Sequence, residues 1–416
     1  MDSRSFTHDP GVRAAIRGLK ENAADRQFSD IVDGERHQYV DLVMEGGGVL
    51  GIALLGYTYA LEAIGVRFLG IGGTSAGSIS ALLLAALDRK DREKSAQIAL
   101  LLASKNLYDF VDGDPDVQDF VKVLVARAGG LKLGLKALQV FDTVSQNLGL
   151  NPGNNFLEWL TSILADNGIT RSEDLEDRVS WMPEGLTTRN GDVFDGGARL
   201  ALITAEVSTE TKVELPRMAS LFWKNPQDVN PALFVRASMS IPFFFHPFRV
   251  SDVPQDDAAY ERWERLASFD FPPHEAVFID GGIMSNFPID VFHEPHRVPV
   301  APTFGVKLGT ERRDRRQIGT ATHLLTRVFD SARHSLDYDF ITRNPDYHQL
   351  VTCIDTGPHH WLNFQLSDED KVDLFRRGVE AATNFVYKFD WKKYKKVRGQ
   401  LAKAYSTSGV AGGSGE

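Results

Sequence analysis

The chain has 416 residues, 43% of them hydrophobic, and a formal net charge of -10 at pH 7. This length allows one large domain with insertions or a few smaller domains, each with a substantial apolar core. The acidic balance disfavours a nucleic-acid polymer as the main partner. The single cysteine, Cys353, cannot form an internal disulfide, which is typical of a reducing, cytoplasmic compartment.

The first residues, 1–38, are mostly polar and contain no apolar core of an export signal, so we interpret them as an N-terminal arm. One uncharged run, from Phe68 to Leu87, has GGTSAGS in its middle. Such turn chemistry would leave backbone groups unpaired in lipid. The sequence therefore predicts no transmembrane span.

Two glycine-rich turns lie between Val40 and Leu87, each after a short apolar run and before a longer, helix-like one. Repetition of strand, turn and helix predicts parallel strands joined by crossover helices. Further strand-like runs follow at ARLALITAEV, HEAVFID, TFGVKLG and HQLVTCID. The sequence predicts an α/β fold with a central, mostly parallel sheet, in one domain spanning residues 39–390.

Two segments stand apart from this alternation. Residues 90–190 carry helix-like patterns, which predict a helical insertion after the second turn. Such an insertion suits a lid or a substrate-shaping cap, and scaffold packing is an equally open alternative. Residues 391–416 are basic as far as Tyr405 and then rich in Gly and Ser, which predicts a basic tail with a flexible end.

The first turn, GGGVLG, contains Gly46, Gly47 and Gly48 and also fits the dinucleotide fingerprint G-x-G-x-x-G. That fingerprint requires an acidic residue at the end of the next strand, where this chain has GGT. A phosphate-binding P-loop requires Gly-Lys-Ser/Thr, which does not follow. The turn therefore indicates bare amides at a helix N-terminus, a site suited to negative charge.

The second turn, GTSAG, places Ser75 between Gly73 and Gly77, as in the G-x-S-x-G nucleophile elbow. Neighbouring parallel strands would bring this serine and the triple glycine to the same carboxyl edge of the sheet. A nucleophile and an oxyanion hole belong together at such an edge. Because a serine hydroxyl is weakly nucleophilic, the pattern also requires a base.

Two Asp-Gly-Gly triplets compete for the role of the base. Asp195 lies in a polar stretch that reads better as a hairpin turn. Asp280 ends an apolar strand, and Gly281 and Gly282 would leave its carboxylate uncrowded. We therefore predict that Asp280 accepts the Ser75 proton directly or orients a histidine that does so.

These motifs resemble those of the patatin-like phospholipase family, from about Val40 to about Phe389. The four matching blocks are GGGVLG, GTSAG, FVRASMSIPFFFHPF and DGGIMSNFPID, in the family's order. The resemblance implies a three-layer α/β fold, with helices on both faces of the sheet, and a lipid acyl hydrolase of the phospholipase A type. It further implies an acyl-enzyme on Ser75, a Ser-Asp dyad with Asp280, and an oxyanion held by the triple glycine.

The resemblance implies neither a cofactor nor a metal, and it implies membrane phospholipid as the substrate, met at the inner membrane surface. One position departs from the family pattern, because Leu50 stands where the family usually has Arg or Lys. Any help that this cation gives to the developing charge must come from elsewhere. The oligomeric state is left open, a homo-oligomer included.

Two alternatives to the dyad remain at this stage. An α/β-hydrolase would use Ser75, Asp280 and either His359 or His360 as a triad, in that chain order. Its oxyanion loop, however, lies farther ahead of the serine than the triple glycine does here. We interpret His359 and His360 as loop residues in preference to a base or a metal pair, since no Cys or carboxylate has ligand spacing around them. The second alternative is a catalytically silent, lipid-binding scaffold.

Regulation is predicted only from the resemblance. Some bacterial family members of this size act as membrane-degrading effectors in antiviral defence and are switched on by a cyclic nucleotide, which would here be a partner. Two basic clusters could meet phosphate or lipid, or could simply be solvated. The first cluster comprises Arg312, Arg313, Arg315 and Arg316. The second comprises Lys392, Lys393, Lys395, Lys396, Arg398 and Lys403, together with Trp391 and Tyr394.

Overall fold

The computed structural model of the chain describes residues 4–23, 25–119, 146–309, 319, 331 and 337–411. The strands are β1 (Ile31–Val32), β2 (Gln38–Met44), β3 (Val66–Thr74), β4 (Gly149–Asn151), β5 (Thr187–Thr188), β6 (Leu200–Glu206), β7 (Thr211–Leu215), β8 (Phe243–Phe245), β9 (Phe248–Ser251), β10 (Glu275–Asp280), β11 (Thr303–Leu308) and β12 (Val351–Ile354). The helices are α1 (Arg4–Thr7), α2 (Pro10–Ala23), α3 (Gly51–Glu62), α4 (Ala76–Ala86), α5 (Ser95–Ser104), α6 (Asn154–Asp166), α7 (Ser172–Ser180), α8 (Ala232–Ser238), α9 (Asp257–Ala267), α10 (Gly282–Ser285), α11 (Asp368–Lys388) and α12 (Trp391–Ala411).

The main sheet has the order β12-β11-β2-β3-β6-β10-β9. Its central pairs, from β12 to β6, are all parallel, as the repeated strand, turn and helix pattern predicts. The predicted α/β class with a mostly parallel central sheet is therefore confirmed. Strand β10 differs, because it runs antiparallel to both β6 and β9. Asp280 thus reaches the site from the opposite direction to Ser75.

Alternation along β3 shows how the two sheet faces are covered. A Cβ at Gly73 would overlap the start of α4, whereas a Cβ at Gly72 would contact Val291 and Phe292. Because neighbouring residues of a strand point to opposite faces, α4 covers one face and the segment after α10 covers the other. Ser75, at the end of β3, therefore lies at the rim of a sheet covered on both faces.

The predicted helical insertion contributes α5, α6 and α7 in the described residues. The helix-like pattern between residues 120 and 145 lies outside them, as does the predicted basic cluster from Arg312 to Arg316. A small two-stranded sheet, β4 with β8, joins the middle of the insertion to the chain that follows α8. The insertion is thereby tied to the segment that leads to Asp280.

The described parts of the N-terminal arm and of the basic tail pack on the domain. Phe6 and Val12 of the predicted N-terminal arm are buried, and the ring of Phe6 lies 5.0 Å from that of Phe375 on α11. Trp391 and Arg398 of the basic tail are each 1% exposed. Residues 412–416, the end of the predicted flexible segment, lie outside the described part of the chain.

Helix α12 lies at the end of the sheet opposite the site. The indole of Trp391 donates a hydrogen bond to Asp30, whose amide donates to Val300 just before β11 begins. The Arg398 guanidinium donates to the carbonyl of Glu294, also ahead of β11. Since β11 is parallel to β2, these contacts all lie near the strand N-termini. Nowhere in the described ranges is a helix long and apolar enough to cross a membrane.

Candidate active site

The nucleophile elbow at Ser75 has the strained backbone that its motif predicts. Ser75 precedes α4 with φ 52° and ψ -119°, and its side chain is almost fully buried, the residue being 3% exposed. A Cβ at Gly73 would overlap the backbone of Gly77, and a Cβ at Gly77 would overlap that of Met44. Only glycine fits at these two positions, because the turn packs backbone directly against backbone.

Ser238, at the end of α8, holds this elbow. Its hydroxyl accepts a hydrogen bond from the amide of Ser75 at 2.9 Å and donates one to the carbonyl of Ile203 on β6 at 2.6 Å. The sequence analysis missed this role, because it identified the block around Ser238 only as a family motif. The signal in the sequence that could have indicated this role is a serine between a short helix and a proline.

Asp280 lies next to the end of β3. Strand β7 pairs with residues 202–206 along one edge of β6, so β3 and β10 both pair along its other edge. Thr74 on β3 pairs with Ile203 on β6, and Asp280 on β10 pairs with the next β6 residue, Thr204. The ends of β3 and β10 therefore meet at adjacent positions of β6, about 3.4 Å apart along that strand.

Three backbone contacts hold Asp280 and the turn that follows it. The carboxylate accepts a hydrogen bond from the amide of Gly282 at 2.7 Å. The Asp280 amide donates to the carbonyl of Ser240 at 2.8 Å, and the Gly281 amide donates to that of Ser238. The segment 238–240 thus contacts both Ser75 and the Asp280 turn, so it sets their relative position.

A small cavity of about 250 Å³ has both residues in its wall. Its lining residues are Gly48, Ser75, Ile241, Asp280, Gly282, Ile283 and Trp361. The structure therefore brings together the predicted nucleophile, the predicted base and one glycine of the first turn. Within the described residues, no group of His, Cys, Asp and Glu could hold a metal ion.

The three glycines of the first turn differ in what their amides do. The amide of Gly46 donates to the carbonyl of Asn286 at 3.0 Å, so it is already engaged. Gly48 has φ +56°, and a Cβ there would overlap the carbonyl of Trp361. Leu50, at the position of the family's basic residue, is buried in the core. Of the three glycines predicted to hold the oxyanion, Gly48 lines the cavity of Ser75 and Asp280, whereas Gly46 and Gly47 do not.

A buried charged cluster lies behind this turn. Glu45 accepts hydrogen bonds from Asn286 at 3.2 Å and from the amide of Leu308, and Lys307 lies 3.6 Å away. Burial lowers the pKa of Lys307, but the carboxylates of Glu45 and Asp337 outweigh this effect, and its pKa is raised. Burial raises the pKa of Asp337 to about 7 despite the attraction of Lys307. Through Glu45, this cluster connects the end of β2, which leads into the glycine turn, with the end of β11.

The other predicted site residues lie elsewhere. His359 is held by α11, with its Nε2 atom 3.0 Å from the carboxylate of Asp373. The His360 ring accepts a hydrogen bond from the amide of Leu362. Asp195 is exposed and follows a bridge between Thr187 and Val193, as a hairpin requires. None of the three lines the cavity of Ser75 and Asp280.

A larger cavity of about 640 Å³ adjoins the first and shares Gly48, Ser75 and Ile241 with it. None of the described residues that line it is charged. Part of its wall comes from the predicted insertion, which supplies Leu102, Leu107, Phe110, Phe156 and Trp159. The arrangement joins a serine at a strained turn, a carboxylate and a polar backbone to an apolar chamber.

The chain is similar to a family of known proteins, to a bacterial relative and to a solved structure. A family model described as patatin-like phospholipase matches residues 42–293, more than half of the chain. The chain is 29% identical over 350 residues to YqhO of Bacillus subtilis, an uncharacterised protein, with 84% of this chain and 98% of that protein covered. A solved structure, that of VipD from Legionella pneumophila, is 16% identical with a TM-score of 0.34, over 90% of this chain and 72% of that one.

Proposed function

Because the chain belongs to the patatin-like phospholipase family, we propose that it hydrolyses acyl esters of membrane phospholipids as a phospholipase A, with Ser75 as nucleophile and Asp280 as base. Family membership makes it a lipid acyl hydrolase, and the catalytic assignment is the finer part of the proposal. The observation that carries it is the cavity lined by Gly48, Ser75 and Asp280 together.

In the proposed acylation step, the Asp280 carboxylate takes the proton of the Ser75 hydroxyl as its oxygen attacks the ester carbonyl. The carbonyl oxygen becomes an oxyanion, which accepts hydrogen bonds from the amides of Gly47 and Gly48. One such donor is worth roughly 10²- to 10³-fold in kcat. The lysolipid alcohol leaves with the proton that Asp280 received, and the acyl group remains on Ser75.

In the proposed deacylation step, Asp280 takes a proton from water, which attacks the acyl-enzyme carbonyl. The fatty acid is released, and the proton returns to the Ser75 oxygen. No other base is needed, which agrees with the contacts of His359, since its ring is bound to Asp373 on α11.

We assign membrane contact to the mouth of the cavities rather than to the basic tail. The exposed lysines of α12 are Lys392, Lys393, Lys396 and Lys403. The start of helix α12 contacts Asp30, which in turn contacts the chain just ahead of β11. These contacts lie at the opposite end of the sheet from Ser75. A membrane held by those lysines would face away from the nucleophile. The proposed place of action is the inner surface of the membrane.

Regulation by a cyclic nucleotide, in an antiviral effector, is a further part of the proposal. Its support is that insertion residues such as Phe110 and Trp159 close part of the larger cavity. A ligand that moved the insertion would open the cavity that Ser75 shares. Calorimetry with cyclic dinucleotides and trinucleotides, followed by activity assays with the same compounds, tests this step. Absence of both binding and activation would refute it.

The decisive experiment for the function is mass spectrometry of lipids released from mixed liposomes by the wild type and by Ser75→Ala. We expect lysolipid and free fatty acid from the wild type alone. Labelling with a fluorophosphonate tests the alternative of a silent scaffold, because a folded chain whose Ser75 stays unlabelled is not a serine hydrolase. Equal lipid release by the two proteins would exclude the assignment of Ser75.

A further inference from the structure

We propose that the larger cavity binds the acyl chain, and that Phe110, Phe156 and Trp159 of the insertion limit the length of chain that the enzyme accepts. This inference rests on the proposed function, because it assigns a part of the substrate to the cavity that Ser75 shares. It also gives the insertion a role, that of selecting the acyl chain.

The cavity has the chemistry of a hydrocarbon site. It begins at Ser75 and Gly48 and continues along α4 past Ile79, one helical turn beyond the nucleophile. Among the described residues, its wall is apolar apart from isolated groups such as Ser80, and none of those lining it carries a charge. A phosphate, a head group or a nucleotide would lose its hydration there without gaining partners. For an acyl chain the same transfer is favourable, because only apolar surface leaves water.

The three aromatic residues form one packed cluster. The ring of Phe110 lies 5.2 Å from that of Phe156 and 5.3 Å from that of Trp159, and the latter two rings are 5.9 Å apart. Residues common to both cavities are Gly48, Ser75 and Ile241, which mark the catalytic end. The aromatic cluster lines only the larger cavity, so we place it at the end that receives the terminal methyl group.

Trp159 is the best position for a test. It is only partly buried, whereas Phe110 and Phe156 are almost fully buried, so its truncation opens the wall with the least damage to the core. Trp223 provides a matched control. It is also partly buried and packs on aromatic rings, Phe234 at 5.7 Å among them, but it lines neither cavity.

The experiment measures kcat/KM for p-nitrophenyl esters from butyrate to palmitate. A methylene that does or does not fit an apolar pocket changes kcat/KM by roughly 10- to 200-fold. Trp159→Ala should therefore raise kcat/KM by at least about 10-fold for esters longer than the wild-type optimum. Ile79→Phe, which fills the cavity near its catalytic end, should shift the optimum to shorter esters. Trp223→Ala should leave the optimum where it is in the wild type.

Failure of this inference is distinguishable from failure of the proposed function. If the wild type hydrolyses esters but Trp159→Ala and Ile79→Phe keep its length optimum, the acyl-chain assignment is wrong and the hydrolase stands. If no ester is hydrolysed, binding of the fluorescent fatty acid cis-parinaric acid still tests the cavity. Weaker binding by Ile79→Phe, with Trp223→Ala unchanged, supports the assignment, and equal binding by all variants overturns it.

Discussion

The position of the Ser75 amide depends on one hydroxyl, that of Ser238, so we predict that Ser238→Ala lowers kcat without changing KM. The substitution removes the acceptor of the Ser75 amide and the donor to Ile203, both fully buried contacts. Leaving such groups unpaired costs about 1 to 3 kcal/mol of unfolding free energy. A displacement of the nucleophile by about 1 Å costs on the order of 10²-fold in rate.

Ser95→Ala is the matched control for this prediction. Ser95 is as buried as Ser238, both being 0% exposed, and its hydroxyl donates to Thr58 at 2.7 Å, away from both cavities. Both variants should lose similar stability in urea denaturation. Hydrolysis of a short p-nitrophenyl ester, measured where both remain folded, should fall only in Ser238→Ala, and Ser238→Thr should restore it. Equal kcat in the two alanine variants would refute the positioning role.

Three further predictions test the remaining parts of the site. Asp280→Asn should abolish ester hydrolysis while His359→Ala retains it, and loss of hydrolysis in His359→Ala as well, in a stopped spectrophotometric assay, would favour the triad. Gly77→Ala should lower the melting temperature sharply or prevent folding, because its Cβ would overlap the backbone of Met44, and a wild-type melting temperature would contradict that overlap. Burial raises the pKa of Asp337 from 3.8 to about 7, so the folded state binds this proton more tightly than the unfolded chain. The unfolding free energy should therefore fall by roughly 4 kcal/mol as pH rises through this window, and Asp337→Asn should flatten that dependence in urea titrations.

Local chemistry explains what the sequence could predict. Gly73, Ser75 and Gly77 are recognisable because a strained turn between a strand and a helix accepts few other residues, and the structure has the turn at that place. The parallel central strands were predictable for the same reason, since each was followed by a helix-like run. Asp280, the carboxylate predicted as the base, lines the Ser75 cavity, and a strand end followed by two glycines is also a local signal.

Features that depend on distant pairing could not be predicted. The antiparallel direction of β10 is set by its partners β6 and β9, which nothing in its own residues specifies. The engagement of the Gly46 amide arises from Asn286, far along the chain. Trp391 and Arg398 were grouped with the lysines of a basic tail, yet they are buried, because helix α12 presents different faces to the domain and to solvent.

Strand β6 has a consequence for how activity appears during refolding. Ser75 and Asp280 are 205 residues apart in the chain, and they meet because β3 and β10 pair with successive residues along the same edge of β6. Such long-range pairings form late, since they require the closure of large loops. During refolding, the helical signal and a compact shape should therefore return before ester hydrolysis does. The recovered esterase rate will then report that β6 has paired with both β3 and β10.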